Sequence, residues 1–101
     1  MNAVYLDVSE LAPPEPMTKI ISALAQLLPL QCLVIKHRRQ PFPLYEKLTA
    51  AGWTYHCVEI TADEYALFIY KASEQPHFVT FYPAFQQASF TPFFTSYLPP
   101  L

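Results

Sequence analysis

Apolar and polar positions alternate over residues 4–8, and the run is rich in strand formers, which predicts a first strand. Beyond a proline cluster, Met17, Ile20, Ile21, Leu24, Leu27 and Leu28 recur at helical spacing and form one apolar stripe. Pro14 and Pro16 suit the start of that helix, because its first turn has no use for their missing N–H groups, and Pro29 marks its end. Residues 32–35 are continuously apolar, the pattern of a central strand covered on both faces. A second helix begins near Pro43, carries Leu44, Tyr45, Leu48 and Ala51 on one side, and stops at Gly52. This is the only glycine in the chain, and it stands just past a helix end, where a left-handed backbone makes a Cβ costly. Residues 53–60 and 65–70 read as two more strands, joined through the short polar turn 61–64 as an antiparallel hairpin.

The element order is therefore βαβαββ over residues 3–72. A right-handed crossover makes the first two strands parallel. Both helices then cover one face of a mixed four-stranded sheet, giving an α/β two-layer sandwich. Its second sheet face is left open, and the rest of the chain bears on that problem. Residues 73–101 contain Phe78, Phe81, Tyr82, Phe85, Phe90, Phe93, Phe94 and Tyr97, half of all the aromatic residues. From residue 75 onward there is no Asp, Glu, Lys or Arg, the reverse of a solvated disordered tail. The organisation expected is a core of residues 1–72 and an aromatic, proline-rich extension of residues 73–101. The extension is expected to pack on the open sheet face of its own chain, partly as a further strand from Phe78 to Tyr82. Burial in a homodimer through the stretch Phe78 to Tyr97, or a patch for another partner, are the alternatives.

Composition narrows the function classes. At 101 residues the chain is one domain with at most an appendage. Charged residues make up 14% and the net charge is -2, so nothing draws the whole molecule to nucleic acid or an anionic membrane. Base stacking needs exposed rings beside a basic groove, and the aromatic stretch has no basic residue, so a nucleic-acid partner is not expected. A membrane span is not expected either, because Pro76, Pro83, Pro92, Pro99 and Pro100 interrupt that stretch. The start of the chain has no signal-peptide pattern, which makes the cytoplasm the expected setting. Cys32 and Cys57 show neither CxxC nor zinc spacing and read as free thiols in a reducing compartment. Cys32 and His37 face opposite ways on an extended segment, as do His56 and Cys57, so no metal centre is expected. A single glycine excludes a phosphate-cradling glycine loop, and no nucleophile elbow or paired-carboxylate motif occurs. The chain therefore implies no cofactor and no catalytic residues.

The stretches Leu6-Asp7-Val8, Leu11, Pro13-Pro14-Glu15-Pro16-Met17, Pro41-Phe42-Pro43-Leu44-Tyr45 and Gly52-Trp53 resemble an uncharacterised family of small bacterial domains. That family is similar to the TusA/SirA-like sulfur-carrier fold and often occurs beside hemerythrin-like modules. The resemblance spans residues 4–72 and implies a TusA-like fold. It also implies a protein partner in a redox or nitrogen-oxide setting. Carriers of the TusA type hold a reactive cysteine in a Cys-Pro-x-Pro motif at the start of the first helix, where the helix N-terminus lowers the thiol pKa. Pro13 stands at that place here, and Cys32 and Cys57 lie inside strands. Persulfide transfer by the family mechanism is thus not expected. Ser9 stands near where the related branch commonly has arginine, a departure that weakens any anion site relying on that residue.

Parallel strands one and two end at the sheet edge where both helices start, the usual place for ligands outside the carboxyl ends of such strands. Glu10, Pro13, Glu15, Lys36, His37, Arg38, Arg39 and Gln40 fall there. Across residues 13–16 only Glu15 keeps a backbone N–H, so an anion would rely on His37, Arg38 and Arg39. The simpler alternative is that Arg38 or Arg39 pairs with Glu15 or Glu10 and ties the helix starts together, a contact worth about 0–1 kcal/mol. His37 is the best titrating candidate, but it has no identifiable second catalytic group. The sequence thus reads as a non-catalytic binding or interaction module with its working edge at Pro13, Glu15, His37, Arg38 and Arg39. A protein partner or a small anionic ligand is expected. The alternatives are a sulfur-transfer or redox-relay accessory using Cys32 or Cys57, and a structural homodimer.

Overall fold

A computed structural model describes residues 1–86. The elements are β1 (Asn2–Asp7), α1 (Glu15–Ala25), β2 (Gln31–His37), α2 (Phe42–Ala50), β3 (Trp53–Thr61), β4 (Glu64–Lys71) and α3 (Gln75–Phe81). Turns of 3-10 helix over Ala72–Glu74 and Pro83–Gln86 flank α3. The sheet runs β1-β2-β4-β3, with β1 parallel to β2 and the other two pairings antiparallel. The βαβαββ order, the mixed four-stranded sheet and the β3–β4 hairpin are all as the apolar pattern predicts.

Alternation along the strands builds two cores on opposite sheet faces. On one face Leu33, Ile35, Leu67 and Ile69 pack beneath Ile20 and Leu24 of α1 and Leu44 and Leu48 of α2. On the other, Cys32, Val34, Phe68 and Tyr70 pack with Phe78, Tyr82 and Phe85. The central strands β2 and β4 are therefore covered on both sides, which is why their sequences are nearly continuously apolar. Helix α1 ends at Ala25, which corrects the expected end at Pro29 and leaves Leu27 and Leu28 beyond the helix. Of the four stripe residues on it, Ile20 and Leu24 are buried and Ile21 is exposed. A helix lying on a flat sheet presses only its central row into the core, and the stripe's flanks stay at the rim.

The segment 78–81 is helical and Tyr82 caps it, which corrects the expectation of a strand from Phe78 to Tyr82. Phe78, Phe81, Tyr82 and Phe85 are spaced by three and four residues, so a helix brings Phe78 and Tyr82 to one face. The Phe78 ring stacks on Tyr70 at 3.9 Å, and Tyr82 meets Phe68 edge-on at 5.2 Å. Phe78, Tyr82 and Phe85 are thus taken up by the chain's own sheet. Phe90, Phe93, Phe94 and Tyr97 lie outside the described residues. Among those described, no helix is long and apolar enough to cross a membrane.

Candidate functional site

The carboxyl ends of β1 and β2 are joined by a short hydrogen-bonded frame. Val8 N–H extends the pairing to the Lys36 carbonyl at 3.0 Å. There the chain turns, because the Asp7 carboxylate accepts both the Ser9 N–H at 2.9 Å and the Ser9 hydroxyl at 2.6 Å. These two bonds, the hydroxyl's first, hold the Asp7 carboxyl below its ordinary range. The turn presents the Ser9 carbonyl to the residue just past β2, where it accepts the Arg38 Nε–H at 3.1 Å. On the next residue, the Arg39 N–H donates to His37 Nδ1 at 3.0 Å, which places the neutral ring's proton on Nε2. Burial, followed by the nearby Arg39 charge, lowers the His37 pKa from its ordinary value.

His37, Arg38 and Arg39 therefore form one structured unit at this edge. Pro13 and Glu15 lie exposed at the head of α1 and are not joined to it by a hydrogen bond or ion pair among the described residues. The expected Glu–Arg tie is replaced by the Ser9–Arg38 bond. Among the described residues the one ion pair is Lys36–Glu64 at 3.9 Å, on a neighbouring strand pair, and both arginines keep their charge unpaired. Neither helix start supplies a cradle of free amides. The Glu15 N–H goes to the Ala12 carbonyl, and those of Phe42 and Leu44 go to Gln40 and Pro41, each at 3.0 Å. Recognition of an anion at this edge thus falls to the two guanidinium groups.

Beside them, α2 opens with Phe42, exposed over 65% of its surface and set edge-on to Tyr45 at 5.8 Å. Tyr45 stacks on Tyr55 of β3 at 4.1 Å, its hydroxyl lying toward Gln40 and against the Cys57 thiol. Residue-by-residue reading missed this cluster, because β3 meets α2 only through the tertiary fold. It also missed the role of Ser9, although Asp-x-Ser is a turn signal visible in the sequence. Burial pushes both thiols up, Cys32 to about 11 and Cys57 above its ordinary value. Among the described residues, no group of three or more His, Cys, Asp and Glu side chains is placed to hold a metal ion.

This frame lies within the stretch, residues 5–71, that matches the model of a family described as Uncharacterized conserved protein (DUF2249). The chain belongs to that family. No curated protein and no solved structure matches it. The family match runs from the second half of β1 through the last residue of β4, so it takes in part or all of every strand, both crossover helices and the arginine edge.

Proposed function

We propose that this chain is a non-catalytic interaction module on a TusA-like fold, which grips an anionic group of a protein partner at the Arg38–Arg39 edge. The observation carrying this reading is the state of Arg38. Its Nε is held by the Ser9 carbonyl, so the guanidinium is oriented before a partner arrives, while no carboxylate among the described residues neutralises it. A fixed guanidinium presents its remaining N–H groups as a planar fork suited to a carboxylate or phosphate. Phe42 adds an exposed aromatic beside the arginines, and aromatic residues with arginine are the side chains enriched at protein interfaces. The βαβαββ order and the mixed sheet support the TusA-like assignment. A cytoplasmic setting with a redox or nitrogen-oxide partner completes the proposal. Transfer chemistry through Cys32 or Cys57 is disfavoured, since a raised thiol pKa leaves little thiolate at neutral pH.

The test is a backbone-amide NMR titration of the full chain with an Asp/Glu-rich peptide and, separately, with inorganic phosphate. Saturable shifts at Ser9, His37, Arg38, Arg39 and Phe42 are expected. Arg38→Ala should weaken binding by about ten-fold, the loss of one charge-assisted contact. Absence of saturable shifts at these residues with both probes would sink the proposal.

A further inference from the structure

A cleft lies between α1 and α2 on the helix-covered face, toward the end of α2 opposite the arginine edge. It has a volume of about 270 Å³. Its walls are Ile21, Leu24 and Ala25 from α1 and Leu44 and Leu48 from α2, and Trp53 at the start of β3 also lines it. The topology leaves this space open: α1 packs on β2, α2 packs on β3, and β4 lies between those two strands. Ile21 is consequently exposed over 45% of its surface although it belongs to the apolar stripe of its helix. Lys47, in the last turn of α2, is the one ionisable side chain lining the cleft. Among the described residues it has no ion-pair partner.

An apolar wall with one polar group at its rim is the usual make-up of a small-molecule site. The size also fits a small ligand, since a dry apolar cavity of about 150 Å³ already accepts benzene. Charge decides the ligand's head group. An unpaired ammonium at the mouth of an otherwise apolar cleft complements a carboxylate and gives no reason to prefer a neutral or cationic molecule. We propose that this cleft binds a small apolar carboxylate, such as a medium-chain fatty acid, with its chain along Leu24, Leu48 and Trp53 and its carboxylate at Lys47. This site is separate from the arginine edge and does not depend on the function proposed there.

Trp53 is the only tryptophan in the chain, so its fluorescence reports on the cleft directly. The experiment titrates the full chain with octanoate, 1-octanol and acetate at constant ionic strength, below micelle-forming concentrations. Octanoate is expected to shift Trp53 emission saturably, and acetate is expected to leave it unchanged. Octanol and the Lys47→Gln variant should each raise the half-saturation concentration by about five-fold, the size of one exposed charge contact. Octanol binding should be the same in Lys47→Gln as in the parent chain. Ala25→Phe, which places a ring in the cleft, should abolish both responses while the melting temperature shows that the variant is folded. A non-saturating response would overturn the proposal. So would equal half-saturation for octanoate and octanol, or indifference of octanoate to Lys47→Gln. A Trp53 shift that grows with protein concentration without ligand, with a doubled mass in sedimentation, would overturn it in favour of a second copy in the cleft.

Discussion

His56 sits on the sheet face covered by α3, its ring 4.8 Å from Phe85 and 5.6 Å from Phe78, with Nε2 3.0 Å from the Tyr70 hydroxyl. Burial lowers its pKa from the ordinary 6.5. The folded chain therefore takes up this proton less readily than the unfolded chain. The corresponding stability is complete above about 6.5 and is lost as the pH falls through the folded-state pKa. His37 is shifted in the same direction and adds to the same acid-side loss. We expect His56→Phe, which keeps a ring in place and removes the titration, to flatten the fall of the urea midpoint between about pH 7 and pH 5. An unchanged slope would show that other groups govern the acid side. Two backbone positions show how far single residues can be read from sequence. Gly52 adopts φ 85° just past α2, as its uniqueness predicts, and nothing lies near the place a Cβ would occupy, so the demand is purely conformational. Leu30 also has positive φ, at 61°, yet a leucine gives no such signal. Its N–H donates to Glu74 Oε2 at 3.0 Å and its carbonyl accepts from Asn2 at 3.1 Å, so its conformation is set by contacts distant in the chain.

At the scale of elements, α3 is a helix where the sequence leads one to expect a strand. Phe, Val, Thr and Tyr favour strands, but a strand propensity reflects packing on a pleated surface more than a backbone preference. The spacing of Phe78, Phe81, Tyr82 and Phe85 is helical, and burial follows it: Phe78, Tyr82 and Phe85 are buried and Phe81 is exposed. Periodicity was the better guide than composition. Phe78 is fully buried among Tyr70, Phe68, Tyr82 and His56. Phe78→Ala should cost about 3–5 kcal/mol in urea unfolding, the range for removing a buried aromatic ring. Hydrogen exchange in α3 should rise by more than in α1, because α3 has few other anchors on the sheet. Equal protection of α3 in the variant and the parent would mean that Phe78 does not dock it. The helices on the other face start where expected, because each start is marked by proline, whereas α1 stops at Ala25, short of the end expected at Pro29.

For the whole molecule, the consequence is a sheet covered on both faces by one chain. Residues 1–72 alone would expose Val34, Phe68 and Tyr70, which are buried beneath α3 and the following turn. We expect such a truncation to bind a hydrophobic dye strongly and to precipitate at concentrations where the full chain remains clear. A soluble truncated chain with the parent's melting temperature would show that the extension adds nothing to the fold. The sequence by itself determined the order of elements, the mixed sheet and the place of the edge carrying His37, Arg38 and Arg39. Those follow from local causes: apolar period, proline at helix starts, glycine at a helix end, and the handedness of a crossover. Only the tertiary structure decided which partners meet there. Ser9 rather than glutamate holds Arg38, Tyr45 meets Tyr55 and Cys57, and a cleft opens between α1 and α2. Each of these joins residues from different elements, and such contacts depend on register and on the separation of packed helices, quantities that no local pattern encodes.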